Sequence, residues 1–267
     1  MTTWPQALAE PAVIETFAHE LADEARALIV PHLRRAVHID YKSDETPVTE
    51  IDKAVEKALR GRIVARFPAH GIIGEEFGNQ PGSSPFTWVL DPVDGTKAFI
   101  TGRPEFGSLI GLLNEGVPIF GILEAPVLSQ RWIGGDTLAS TVNGVACRTS
   151  EVSALADARL SATTPDMFDT NERARFDALG KRVRFRVFGG DCYTYGLVAS
   201  GCLDLVVEAG MKVHDFLALV PIVTGAGGVM TDWDGRPLTA ASSTGRVLAA
   251  ATPVLHKAAL EILGNEH

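Results

Sequence analysis

The chain has 267 residues, 46% apolar and 21% charged, an ordinary balance for a folded chain large enough to bury a core of its own. Its formal net charge of −9 disfavours general binding to nucleic acid or anionic membranes, because both ask for a basic surface. No run of about 18 apolar residues reads as a membrane span, the opening MTTWPQALAEPAVIE lacks the basic and apolar regions of a signal peptide, and the three cysteines, few and without CxxC spacing, suit the reducing cytosol, so a cytoplasmic protein is expected.

Apolar residues at helical spacing, Val13, Phe17, Leu21, Ala25 and Leu28, predict an amphipathic helix from Glu10 to Arg35. A polar loop from Asp40 to Thr46 leads to a second helix from Thr49 to Phe67, with Ile51, Val55, Leu59 and Ile63 on one face. Two short apolar strands follow, Ile72-Ile73 and Trp88-Val89-Leu90, the first ending at Glu75 and the second at Asp91, with a loop from Gly78 to Pro85 between them. A short helix is expected after Gly95, then strands Ser108–Leu113, Val117–Glu124 and Gln130–Ile133, and a hairpin at Asn143-Gly144. The second half alternates: strand Arg159–Ala162, helix Asn171–Leu179, strand Val183–Phe188, helix Cys192–Ala199 and strand Leu203–Glu208. A single helix from Asp215 to Ala226 closes at Gly227-Gly228. Strands flank an Asp234-Gly235 turn, and a last helix runs from Pro253 to Leu263. The chain divides into an α+β half (1–150) and an α/β half (151–267), joined as one compact catalytic unit. Cys147, Cys192 and Cys202 lack CxxC spacing and are read as buried small apolar residues rather than a disulfide or zinc framework.

The run Asp91-Pro92-Val93-Asp94-Gly95-Thr96 carries the most chemistry. A strand delivers Asp91, Pro92 stops its ladder for want of an N–H, and Gly95 permits a tight turn into a helix. Two carboxylates can then face one point, where a hard cation wants oxygen, and the Gly95 and Thr96 amides at the helix start suit an anion such as phosphate. Alone, Asp91 and Asp94 could be turn and N-cap residues, and Asp215 a helix-start acid. Together with Glu75-Glu76 they make a set of acids from separated segments. Such acids in one place would be costly without a cation.

The sequence resembles the inositol monophosphatase-like family of metal-dependent phosphatases. The resemblance rests on Lys42-Ser43-Asp44 with Pro47-Val48-Thr49 and Asp52, on Gly74-Glu75-Glu76, on Asp91 to Thr96, and on Glu208 through His214-Asp215 to Ala218 and on to Ala226-Gly227-Gly228. It implies an αβαβα sandwich of helical layers and mixed, largely antiparallel sheets, a homodimer, lithium sensitivity and two or three Mg²⁺ ions per site. One ion would be held by Glu75, Asp91 and the backbone carbonyl of Val93, and another by Asp91, Asp94 and Asp215. A weaker third ion would sit near Glu75, which is counted with Asp52 and Thr96 as catalytic. Asp52 and Thr96 would orient the attacking water and accept its proton, although Thr49-x-x-Asp52 also reads as a capping box. Gly95 and Thr96 would bind phosphate.

The stretches Asp94–Gly107 and Gly189-Gly190-Asp191-Cys192-Tyr193 are similar to the histidinol-phosphate phosphatase branch. That likeness implies hydrolysis of L-histidinol phosphate to L-histidinol, a step of histidine biosynthesis. A substrate bearing an ammonium and an imidazole asks for acids that the ions do not use. Asp191 and Glu208 are the candidates, with N-cap and solvated strand-end as their plain alternatives, and Lys97 could hold an anion. Arg103 is read as a solvent-exposed base. His214 stands where relatives often have Trp. It is read as pocket wall or hydrogen-bonding group and not as a ligand, because Mg²⁺ prefers oxygen. The rival substrates are an inositol monophosphate or 3′-phosphoadenosine 5′-phosphate. A rival of another class is a non-catalytic, partner-binding protein on the same scaffold, against which the complete acid set speaks.

Overall fold

A computed structural model describes residues 11–35, 38–41 and 47–264. Glu10, the first ten residues read for a signal peptide, Lys42-Ser43-Asp44 and most of the Asp40–Thr46 loop lie outside the described residues. In chain order the elements are α1 (Pro11–Ile29), β1 (Ile39–Tyr41), β2 (Pro47–Thr49), α2 (Glu50–Arg66), β3 (Gly71–Gly74), β4 (Gly78–Gln80), β5 (Phe86–Asp94) and α3 (Thr96–Ile100). Then come β6 (Gly107–Asn114), β7 (Val117–Ala125), β8 (Gln130–Gly135), β9 (Leu138–Val142), β10 (Val145–Ala146), β11 (Arg159–Ala162) and α4 (Thr170–Gly180). The chain continues through β12 (Phe185–Phe188), α5 (Tyr193–Ala199), β13 (Leu205–Glu208), α6 (Val213–Phe216), α7 (Leu219–Gly225), β14 (Val229–Thr231), β15 (Val247–Ala250) and α8 (Pro253–Leu263).

Three buried clusters separate five layers, giving the αβαβα sandwich. In β5, Trp88 and Leu90 point to one face and Val89 to the other, as the two-residue period of a strand requires. Trp88 and Leu90 meet Phe17 and Leu21 of α1 and Leu59 of α2. Val89 belongs to the middle layer, where Tyr195 and Val198 of α5 and Ile222 of α7 lie between the sheets and touch the second one through Val206 and Ala249. Leu160, Leu205 and Leu248 cover that sheet's far face, against Phe176 of α4 and Leu255 and Ala259 of α8. Strands buried on both faces explain the near-continuous apolar runs in the sequence.

The first large sheet has eight strands in the order β10-β9-β8-β7-β6-β5-β3-β4 and is antiparallel except where β3 runs parallel to β5. The second has five in the order β12-β11-β13-β15-β14, with β11 parallel to β12 and β13. Asn143 (φ 50°) and Gly144 (φ 77°) form the hairpin turn between β9 and β10, and two positive φ values in succession match strand twist.

Several local readings are corrected. Pro92 does not end its strand. β5 continues to Asp94 because a bulge between Asp91 and Asp94 leaves the proline out of the ladder. The segment from Asp215 to Ala226 is two helices, α6 and α7, parted at Leu217 and Ala218. The reason lies in the sheet. Gly111, Gly121 and Gly134 are register partners across β6, β7 and β8. A methyl on Gly111 would lie 3.1 Å from Ala218 Cα, one on Gly121 would overlap the Ala218 carbonyl, and one on Gly134 would strike Pro221 and Ile222. Three missing side chains thus make a trench into which the chain descends at that junction.

The Asp234-Gly235 turn is not flanked by paired strands. Asp232 Oδ1 accepts from the N–H groups of Asp234 (2.9 Å) and Arg236 (2.8 Å), and β14 pairs instead with the later β15. Such side-chain bonds compete with a ladder. The loop read from Gly78 begins as β4, and the segment around Asp40 holds β1. All three cysteines are free thiols, and only Cys192 is buried. Among the described residues no helix is long and apolar enough to cross a membrane.

Candidate active site

In a regular strand, residues three apart face opposite sides. The bulge at Pro92–Val93 adds one residue to β5 opposite β6, pairing Asp91 with Leu109 and Asp94 with Gly107. That extra residue reverses the parity and sends Asp91 and Asp94 to the same side. The bulge is held by Ser108, whose hydroxyl donates to the Pro92 carbonyl at 2.6 Å.

Glu75 sits on the turn between β3 and β4, its N–H donating to the Leu90 carbonyl (3.3 Å) beside the bulged strand. The turn is tied to α2 by Glu56, a fully buried carboxylate. Glu56 Oε2 accepts from the Glu76 N–H (2.6 Å), and Oε1 accepts from the Phe77 N–H (3.1 Å) and Arg60 Nε (2.7 Å). Arg60 also donates to the Gly78 carbonyl. Gly74 leaves room for this clamp, since a methyl there would overlap Glu56 Oε1. Sequence reasoning missed Glu56 and Arg60. Their signal was spacing: Asp52, Glu56 and Arg60 form an i, i+4 row beside the apolar face of α2, and an acid in such a place is buried only when partnered.

Asp215 comes from the second half, on α6, with the Lys212 N–H donating to Oδ2 at 2.7 Å. Two groups of ligand atoms arise, each spanning no more than 4.8 Å: Glu75, Asp91 and His214, and Asp91, Asp94 and Asp215. Asp91 belongs to both. Burial pushes the Asp91 carboxyl well above the ordinary carboxylate range, with repulsion from Glu75, Asp94 and Asp215 adding to it. Asp94 is raised by burial and by Asp191 and Asp215, and Asp215 is raised chiefly by burial. Asp91 Oδ1 is buried without a hydrogen-bond partner. Crowded carboxylates with an orphaned oxygen fit a divalent cation, whose charge reverses the repulsion.

Asp52 performs the cap and also touches Thr96. Its Oδ2 accepts from the Thr49 N–H (2.9 Å) and from the Thr49 hydroxyl, while Oδ1 lies 3.4 Å from Thr96 Oγ1. The Thr96 hydroxyl also lies 3.1 Å from the Val93 carbonyl. Burial raises the Asp52 carboxyl against the pull of the Thr49 bonds. Gly95 has φ 87°, and a Cβ there would press to 3.1 Å from Asp191 Cγ. This is one place where glycine is required on two grounds, conformation and space.

A cavity of about 760 Å³ opens over these groups and is lined by Glu75, Asp91, Val93, Asp94, Gly95, Thr96, Lys97, Arg103, Asp191, His214 and Asp215. Asp191 follows Gly189 and Gly190 in a corner of three positive φ values. It is not the N-cap of α5, a position taken by Cys192. The Cys192 N–H donates to Asp94 Oδ2 at 2.6 Å, joining the two halves of the chain. Burial lifts Asp191 to about 6, against the attraction of Arg103 and Lys97. Arg103 packs over Gly189, lies 3.3 Å from Glu105 and borders the cavity, while its side chain stays exposed, as its reading as a solvent-exposed base expects.

Glu208 stands behind the wall, 1% exposed. Oε1 accepts from the Thr163 N–H (3.0 Å) and hydroxyl (2.5 Å), and Oε2 from the Tyr195 hydroxyl (2.7 Å). Thr163, not Glu208, lines the cavity. Neither the solvated strand-end reading nor direct reach into the cavity matches this placement. Burial raises Glu208 to about 7, with Thr163 and Tyr195 opposing. Thr163 carried no local signal in the sequence.

The model of the inositol monophosphatase family matches residues 10–267. The chain is 41% identical over 251 residues to the chloroplastic bifunctional phosphatase IMPL2 of Arabidopsis thaliana, covering 91% of this chain and 72% of that one. It is 37% identical over 248 residues to a histidinol-phosphatase of Streptomyces coelicolor, covering 86% and 92%. An inositol monophosphatase from Zymomonas mobilis superposes with a TM-score of 0.88 at 41% identity, covering 97% of this chain and all (100%) of that one.

Proposed function

The chain belongs to the inositol monophosphatase family and is a phosphoric monoester hydrolase acting on small phosphorylated substrates, and from that premise we propose that it releases phosphate from L-histidinol phosphate in a Mg²⁺-dependent reaction. The observation that carries the substrate is Asp191, a half-buried carboxylate at the cavity wall that the proposed cation ligands do not use. An ammonium or a protonated imidazole gives it a partner of opposite charge, and a neutral polyol, which offers only hydroxyl hydrogen bonds, does not. The likeness to histidinol-phosphatases points the same way.

Two overlapping ligand groups that share Asp91 support two ions, with Asp91 between them. We assign Glu75, Asp91 and the Val93 carbonyl to one, and Asp91, Asp94 and Asp215 to the other. When bound, such ions neutralise phosphate charge and lower the pKa of a water toward neutrality. The protein's own groups supply the rest. Asp52, buried and hydrogen-bonded to Thr49, accepts a proton through the Thr96 hydroxyl, which it also orients. The Gly95 and Thr96 amides, at the first turn of α3 where helix donors lack intrahelical acceptors, bind phosphate oxygens. Lys97 adds positive charge at the mouth of the cavity. Glu208 acts on the substrate indirectly, by fixing Thr163. A homodimer is part of this reading, supported by the edge strand β12, which exposes Phe185, Val187 and Phe188.

Phosphate release should be compared for histidinol phosphate, inositol 1-phosphate and 3′-phosphoadenosine 5′-phosphate at matched concentration, with Mg²⁺ and with chelator. Histidinol phosphate should give the highest kcat/KM and chelator should abolish it. Asp191→Asn should raise KM for histidinol phosphate roughly 10-fold, as expected for loss of one charged contact, and leave a neutral phosphate ester within about 2-fold. Preference for inositol phosphate, or an equal effect of Asp191→Asn on both esters, would remove histidinol phosphate as the substrate.

A further inference from the structure

Resting on the cation-dependent reading above, we propose that His214 donates an imidazole nitrogen to the Glu75–Asp91 end of the centre. That end would then favour a first-row transition cation over Mg²⁺, while the all-carboxylate end at Asp94 and Asp215 stays a hard-cation site. A ligand atom from each of Glu75, Asp91 and His214 lies within 4.8 Å of the others. Two bonds of roughly 2.2 Å to one ion span at most about 4.4 Å, so at the outer limit of that distance the side chains would draw together by a few tenths of an ångström on binding.

The second observation is independent of the acids. His214 is 8% exposed, and its Nε2 is a buried nitrogen with no hydrogen bond. Nε2 has Asp215 Oδ1 at 3.3 Å, outside hydrogen-bonding geometry. A residue serving only as packing has no need of a polar edge, and a buried polar atom left without a hydrogen bond is destabilising. A cation between His214 and the acids satisfies that nitrogen and the orphaned Asp91 Oδ1 together. α6 is set for this, since the Lys212–Asp215 bond fixes the turn on which His214 stands.

The chemistry of the two ends differs accordingly. Oxygen ligands suit Mg²⁺, which gains little from imidazole. Imidazole suits the later first-row divalent ions, and a neutral ring nitrogen adds affinity for them without adding negative charge. Asp91, common to both groups, would hold two unlike ions together.

The test uses the full chain, stripped of metal by chelator, and reads binding rather than turnover. Co²⁺ serves as the probe, followed by its visible absorption and by calorimetry with Mg²⁺ held constant. His214→Phe should weaken Co²⁺ binding at least about 10-fold, the scale on which ligand-shell changes act, and should move the absorption to that of an oxygen-only site. Mg²⁺ affinity should change less than about 2-fold. His214→Gln, which keeps a polar side chain of similar reach, carries the same comparison should the phenylalanine variant not fold. Asp94→Asn should weaken Mg²⁺ binding and keep the Co²⁺ spectrum. Equal Co²⁺ affinity and spectrum in wild type and a folded His214 variant would overturn the role of His214 alone. Failure of the wild type to bind either ion would overturn the cation-dependent reading with it.

Discussion

The two large sheets hand acids to the cavity in different ways. From the eight-stranded sheet come Glu75, Asp91 and Asp94, set by backbone features: a bulge gives Asp91 and Asp94 one direction, and a clamped turn carries Glu75. From the five-stranded side come Asp191 and Glu208, each in surroundings of its own, with values lifted to about 6 and about 7. Asp215 is the crossing point, borne by α6 and grouped with Asp91 and Asp94. Acids proposed to share a cation are crowded and rigidly aimed. Those proposed to meet or shape the organic part of a substrate lie outside both ligand groups, although Asp191 is near enough to add to the repulsion on Asp94. Grouping fits chemistry, and separation fits discrimination.

The largest test of that contrast is Asp94→Asn. It removes one charge from the crowded group and should lower turnover on the order of 10³-fold, about 4 kcal/mol of barrier, with circular dichroism unchanged. Turnover within a few-fold of wild type would break the contrast at its centre.

A smaller effect is expected at Glu56→Gln, one layer behind Glu75. The amide keeps an acceptor for the turn but breaks the pair with Arg60. We expect kcat to fall roughly 10-fold to 100-fold through a displaced Glu75, the size of effect seen when a ligand's supporting partner is lost. Tm should also fall. An unchanged kcat with a lowered Tm would make the clamp a matter of stability only.

The smallest effect sharpens the other side. Glu208 has a folded-state value of about 7 against an ordinary 4.5, so the folded protein holds this proton more tightly than the unfolded chain does. The stability it contributes is full below about 4.5 and is lost as pH rises through about 7. Metal-free protein should therefore lose more Tm across that window than Glu208→Gln does. Parallel curves would mean that Glu208 titrates near its ordinary value.

The sequence made local chemistry legible and distant geometry not. Asp91 to Thr96 was readable because strand, turn glycine and helix start are contiguous, and the five-layer order followed from the family likeness. The bulge was hidden because Pro92 has the same local signature whether a ladder stops or skips a residue. Glu56 was hidden because its partners, the Glu76 and Phe77 amides, lie on another element. Glu208 was placed in the right neighbourhood, but the sequence held nothing to say that Thr163 and Tyr195 would enclose it. The split between α6 and α7 depends on three strands at once, beyond any window along the chain.

That glycine row bears on how changes far from the cavity would be felt. The depth at which α7 rests on the first sheet fixes where α6, and so Asp215, begins. A single methyl on Gly121 has no free space to occupy, because the Ala218 carbonyl already fills it. The added bulk would tilt the adjoining segment and withdraw one carboxylate from its neighbours. The proposed cation affinity would therefore depend partly on atoms that are missing, in strands that supply none of the proposed ligands.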